Sequence, residues 1–291
     1  MNRTLRWLVP LIILAVVAAA LYLWLWTGKP EPQPAPIEPP RAAAPTPPAA
    51  AATEPPPVQH PIEQAQPGLP APATEPAPAP APLPPLAESD KLVQETLLGL
   101  VGRDSLLSFL NVSGYIQRFV VTVDNLPRKR APVRLWPVTP TPGRFVVAGT
   151  GDATSLSAEN FKRYEPFVRL VEKVDSARAV ALYVRFYPLV QEAYQELGYP
   201  DKYFNDRLIE VIDHLLATPD LAGPVRLTLP RVAESIKLDR PWVLYEFADP
   251  ELEARSAGQK MLIRMGFDNE ARLKVKLRDL RAKLARSAPK H

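Results

Sequence analysis

Residues 176–197 read SARAVALYVRFYPLVQEAYQEL, and this stretch decides the fold class. Val180, Tyr183, Val184, Tyr187, Val190, Tyr194 and Leu197 recur at spacings of three and four, so they share one side of a helix of about six turns. Ser176 is the expected N-cap. Pro188 lies inside the pattern, lacks the N–H that would bond to the Val184 carbonyl, and predicts a kink. Gly198 is a natural helix-ending residue, and Tyr199-Pro200 blocks any continuation.

The same periodicity spreads to both sides. Upstream, Val93, Leu97, Leu100 and Val101 predict a helix stopped at Gly102, followed by a short apolar turn over 105–110. Val112, Ile116, Phe119, Val120 and Val123 predict a second helix ended by Pro127, although their β-branching opposes it. Prolines at 132, 137, 140 and 142 make that stretch an irregular loop, and 145–148 reads as a short strand between Gly143 and Gly149. Tyr164, Phe167, Val168, Val171 and Val174 form a further helical face, with Pro166 expected near its start.

Downstream, Phe204, Leu208, Ile212 and Leu215 predict a helix, and 225–229 and 242–247 are strand-like and able to pair. Asp249-Pro250 pairs an N-cap with proline at the first helical position, opening a helix expected to end near Gly266. Asp268 is the expected cap of a last helix built on Leu273, Leu277, Leu280 and Leu284. The expected fold over 88–291 is therefore mainly α (α+β), with seven or eight helices and two or three short strands.

The preceding residues differ in kind. Of the 37 prolines in the 291 residues, 22 fall between Pro30 and Pro85. Residues 30–87 are thus expected to be a disordered, Pro/Ala-rich linker of extended polyproline character, with an upper reach of roughly 180 Å. His60 lies in this tract with no evident partner and reads as spacer. Residues 8–26 (LVPLIILAVVAAALYLWLW) carry no charge and would span roughly 28 Å as a helix, the thickness of a bilayer core. Tyr22, Trp24 and Trp26 cluster where an interface would lie. Trp26-Thr27-Gly28 is a poor cleavage site, so residues 1–29 are expected to form an uncleaved anchor. Arg3 and Arg6 precede the span, which places the N-terminus in the cytoplasm and the rest across the membrane.

Charge and composition exclude several function classes. Lys+Arg 35 against Asp+Glu 31 gives +4, but residues 88–267 are balanced and the excess sits in 268–291. The basic pI therefore describes a tail and does not support nucleic-acid binding. The absence of cysteine excludes a disulfide framework, a thiolate metal site and a cysteine nucleophile.

Three passages carry a resemblance: AYQELGYPDKYFNDRLIEVIDHLLATP (193–219), LYEFADPELEARSAGQKMLIRMG (244–266) and FKRYEPFV (161–168). They are similar to the blocks of a bacterial domain-of-unknown-function family, number 3014. The resemblance implies a membrane-anchored protein with a proline-rich linker and an uncharacterised C-terminal domain. It implies no activity and no site residue.

The residues themselves offer one chemical constellation. Asp206, Glu210 and Asp213 stand at i, i+4 and i+7, with His214 beside them, the composition of an acid/base or metal site. A solvated, ion-paired helix face has the same composition. No HExxH, GxSxG or complete GxGxxG accompanies it, so no cofactor and no metal is expected. Lys260 and Arg264, one turn apart, suit a carboxylate or phosphate. Lys274, Arg278 and Arg281 flank the last leucine stripe and suit an anionic lipid or cell-wall polymer. The sequence thus leads to a single-pass protein of the bacterial inner membrane. Its C-terminal domain faces the periplasm as a non-catalytic binding or scaffold module for an envelope protein or anionic partner. The alternative is a tethered periplasmic hydrolase using Asp206, Glu210, Asp213 and His214.

Overall fold

Helix formation follows the apolar periodicity, and side-chain caps at Ser157, Asp175, Asp249 and Ser256 fix where four of the described helices start. The computed structural model describes residues 58–62, 82–221, 223–230 and 241–286. The expected membrane span at 8–26 and most of 30–87 lie outside the described residues. Among the described residues, no helix is long and apolar enough to cross a membrane.

The described domain is mainly helical. Its α-helices are α1 (Asp90–Val101), α2 (Arg103–Phe109), α3 (Tyr115–Asn125), α4 (Ala158–Lys173), α5 (Ser176–Glu196), α6 (Phe204–Leu216), α7 (Pro250–Glu253), α8 (Ala257–Met265) and α9 (Phe267–Arg286). Two two-stranded antiparallel ribbons complete it. In the first, β1 (Val147–Ala148) pairs with β2 (Ser155–Leu156), Val147 opposite Leu156; in the second, β3 (Leu227–Thr228) pairs with β4 (Glu246–Phe247), Leu227 opposite Phe247. A bridge between Ser155 and Arg226 joins them.

Several boundaries differ from the sequence expectation. The apolar turn over 105–110 is a full helix, α2. Asp175, not Ser176, caps α5: its carboxylate accepts the Arg178 N–H at 2.7 Å, and Ser176 is the first helical residue. Pro166 lies in the middle of α4 rather than near its start. The helix opened by Asp249-Pro250 stops after one turn, and Ser256 caps a new one, its Oγ accepting from Gln259 N. This break lets the first amides of α8 reach α3's end: Ala257 N donates to Arg128 O at 2.7 Å and Gly258 N to Leu126 O at 2.9 Å. A Cβ on Gly258 would stand 2.6 Å from Leu215 Cδ2 and 3.1 Å from that Leu126 oxygen. The next helix, α9, begins at Phe267, directly after Gly266, so Asp268 lies inside it. Gly266 has φ +88° and leaves room only for Phe161, whose ring atoms would be 2.5 Å from a Cβ.

The last helix is the spine of the domain. It packs on α4, α5, α6 and α8, burying Leu273 and Leu284. The main core joins α1, α3, α4, α5 and α6 through Val93, Val120, Val168, Tyr194, Phe204 and Val211. A smaller one gathers Leu156, Leu227, Phe247 and Ile263 under the ribbons.

Candidate functional site

The start of α6 is positioned by α5. Gly198, at φ +106°, turns the chain out of α5 and donates its N–H to Gln195 O. The Gln191 side chain then spans the turn: its amide donates to Lys202 O at 2.7 Å, and its oxygen accepts the Phe204 N–H at 2.9 Å and the Tyr187 hydroxyl at 3.0 Å. Tyr203, the residue before α6, supplies no side-chain cap, so Gln191 does that work from the neighbouring helix.

Asn205 and Asp206 follow in the first turn, and both hold another part of the chain. Residues 58–62 lie against them. Asp206 accepts the His60 N–H at 2.6 Å and the Gln59 N–H at 3.1 Å, one on each carboxylate oxygen. Asn205, fully buried, donates to His60 O at 2.7 Å and accepts from the Tyr183 hydroxyl at 3.2 Å. Burial pushes Tyr183 well above the usual tyrosine range, with Tyr187 and Asp206 adding to it, so its hydroxyl stays a donor. Ile62 packs against the main core. His60, read from sequence as spacer, is therefore gripped by its main chain.

Beyond Gln59 a cleft of about 450 Å³ continues along Tyr199, Lys202, Tyr203, Arg207 and Glu210. Its floor holds Asp124, whose side chain is 4% exposed. That carboxylate pairs with Arg128, accepts from Arg207 Nε at 3.2 Å, and accepts the Tyr199 hydroxyl at 3.3 Å. The Tyr199 ring stacks on Tyr194 at 4.6 Å between centroids, and Lys202 lies over it. Burial, reinforced by Asp124, pushes Tyr194 up to about 12. The cleft is thus walled by half-buried tyrosines and floored by a satisfied ion network.

The four residues of the acid/base constellation do not converge. Asp206 and Glu210 line the same cleft, but Asp206 holds residues 59 and 60 and Glu210 pairs with Arg207 at 2.8 Å. Asp213 turns to Arg281 on α9. His214 Nε2 lies 2.9 Å from Ser256 Oγ. This serine is buried, already accepts the Gln259 N–H as the α8 cap, and lacks an acid behind the histidine, because Asp213 is engaged elsewhere. Among the described residues no three His, Asp or Glu side chains are grouped to hold a metal ion.

The basic residues singled out in the sequence are also placed. Lys260 donates to the Glu253 carboxylate at 2.6 Å and to its carbonyl at 3.1 Å. Burial alone would raise the Glu253 carboxyl, but Lys260 and the Phe247 N–H hold it below the ordinary value. Arg264 donates to Tyr245 O at 2.9 Å and lies over the Phe145 and Phe247 rings. Both cations brace the second ribbon against α8. Lys274, expected on an outer flank, is instead buried: its ammonium donates to Thr218 O at 2.6 Å and meets Asp220 and Glu270 at 2.7 Å each. Arg281 pairs with Asp213, and Arg278 is exposed. The basic tail is thus largely a set of ties from the spine helix to its neighbours.

Sequence reasoning missed Gln191, Asn205 and residues 58–62. The available signal was compositional: VQHPIEQAQ (58–66) interrupts the Pro/Ala tract with larger side chains and the tract's single histidine.

A mainly helical domain with a bent upstream segment held at a helix start defines the class. The family described as Protein of unknown function (DUF3014) matches residues 115–281, and the chain belongs to it. No curated protein and no solved structure shows significant similarity to the chain.

Proposed function

We propose that the protein is a single-pass, membrane-anchored envelope protein whose domain is a non-catalytic binding module facing the periplasm. The observation that carries the binding reading is the grip of Asn205 and Asp206 on residues 59 and 60. It is made entirely to main-chain N–H and C=O groups of a bent segment, so the surface recognises a backbone shape rather than a reacting bond. The uncharged run 8–26, with Arg3 and Arg6 before it, supports the anchor and its orientation. The dispersal of Asp206, Glu210, Asp213 and His214 among separate partners weighs against the hydrolase alternative.

Two measurements test this. A photoreactive residue at 203, in the full chain in its membrane, should give adducts that are absent when it is placed at the exposed Leu107. The same adducts from both positions would sink the binding-cleft reading. Alkaline phosphatase fused after His291 should be active, whereas a fluorescent cytoplasmic-type fusion signal would reverse the orientation.

A further inference from the structure

The segment Val58-Gln59-His60-Pro61-Ile62 shows what the cleft selects. Residues 59 and 60 form a bend that turns two successive N–H groups to the Asp206 carboxylate and the His60 carbonyl to Asn205, and Pro61 narrows the backbone choices of His60 after that bend. Pro61 itself has no N–H to leave unpaired. Ile62 then supplies an apolar anchor on the main core. At the other end, Gln59 borders the continuing cleft, whose Tyr199 and Tyr203 walls have the composition that proline-rich ligands dock against. The grip is on backbone, so it does not depend on this segment being covalently part of the chain.

We propose, building on the binding-module reading above, that this cleft is a receptor site for a proline-containing peptide of a partner protein, held through a bend, which residues 58–62 occupy in cis and yield by exchange. Only 19 residues separate Ile62 from Pro82. A tether of that order gives an effective concentration on the order of 1 mM. A peptide of affinity about 0.1 mM would therefore meet roughly tenfold competition from the resident segment. This competition makes the site readable in the intact protein.

The probe is a fluorescent peptide of residues 54–66, titrated by anisotropy into the detergent-solubilised full chain. Gln59→Pro with His60→Pro removes both N–H donors to Asp206 from a half-exposed segment, without touching the core. This released variant should bind the probe about tenfold more tightly than wild type. Adding Asp206→Asn or Tyr203→Ala should weaken it by about tenfold, and a probe carrying Pro61→Ala and Ile62→Ala should also bind worse. No saturable binding to the released variant, equal binding by wild type and variant, or indifference to Asp206→Asn would each overturn the proposal. A wild-type dimer that Gln59→Pro/His60→Pro converts to monomer would make the occupant a second copy's segment and overturn it as well. Probe binding lost while the adducts at 203 persist would reject this ligand class alone; loss of both rejects the binding-module reading too.

Discussion

Replacing Lys274 by methionine should destabilise the domain far more than a surface substitution would. Lys274 and Glu270 are 3% and 2% exposed, one turn apart on α9. The ammonium donates to Thr218 O and to Asp220, and it stands 2.7 Å from Glu270 Oε1 as an ion pair whose angle does not make a hydrogen bond. Removing it strands a carboxylate in the interior. Breaking a buried pair from one side costs about 3–5 kcal/mol, and the lower end applies here because Asp220 is mostly exposed and re-solvates. For a domain of this size, about 3 kcal/mol corresponds to a Tm lower by about 6–12 °C. Changing both residues to methionine removes the stranded charge and should recover most of the loss, to within about 1–2 kcal/mol of wild type.

The pH dependence gives that prediction a sign. Burial raises the Glu270 carboxyl above its ordinary value of 4.5 even with Lys274 beside it. Without Lys274 the folded value rises further. A carboxyl whose folded pKa lies above its unfolded one has its favourable contribution in place below the unfolded value, and loses it as pH rises through the folded one. The Tm deficit of Lys274→Met should therefore be small near pH 4 and grow toward neutrality. Thermal unfolding followed by circular dichroism at both pH values measures it. A deficit under about 0.5 kcal/mol at neutral pH, the range of surface positions, would refute the buried-pair argument and return Lys274 to the outer flank.

Three other outcomes follow from the same geometry. Gly266→Ala combines a left-handed backbone with a Cβ 2.5 Å from the Phe161 ring and should cost about 2–4 kcal/mol by denaturant midpoint; Gly258→Ala, against Leu215 and Leu126, should cost about 1–3 kcal/mol. Asn205→Ala should accelerate hydrogen exchange at the Gln59 and His60 amides while leaving α5 protected, since it removes the tie to His60 O. Arg169 and Arg272 hold Glu165, Arg272 holds Glu172, and Lys274 holds Asp220, each below its ordinary value of 4.5 or 3.8. Their contribution is present above those values and lost as pH falls through the lowered ones, so Arg272→Gln should flatten the acid limb of a Tm-against-pH curve.

Elements with an uninterrupted apolar period and a stop residue were legible in the sequence. The helices α1, α5 and α6 are of this kind, and so is the pairing of β3 with β4, whose two apolar runs flank a proline-bounded loop. The break at Ser256 was not. From Asp249 to Gly266 the pattern reads as one helix, and no local residue forbids it. The interruption is imposed from outside, by the Arg128 and Leu126 carbonyls that take the first α8 amides, and by Gly258 pressed against Leu215. Strand β2 escaped notice because Ser155-Leu156 lies among small and polar residues, without the apolar run that surrounds β1, β3 and β4.

The charged residues mark the sharper limit. Asp206, Glu210 and Asp213 have the spacing of a solvated face, of an acid/base site and of a set of separate ties, and one-dimensional spacing cannot distinguish these. The partner decides. Glu210 takes Arg207, three residues away on its own helix, and is the one whose role spacing alone could suggest. Asp213 takes Arg281, 68 residues on, across a helix packing that only the folded leucine stripe creates. Asp206 takes two backbone amides 146 and 147 residues earlier, in a tract whose composition argues against any fixed contact. A carboxylate in the first turn of a helix ordinarily serves that helix's own exposed N–H groups. Here Gln191 already satisfies the Phe204 amide from α5. Asp206 is thereby left free to grip a backbone from outside the helix, and a bend that offers two successive N–H groups to one carboxylate is the physical reason this segment lodges at the helix start.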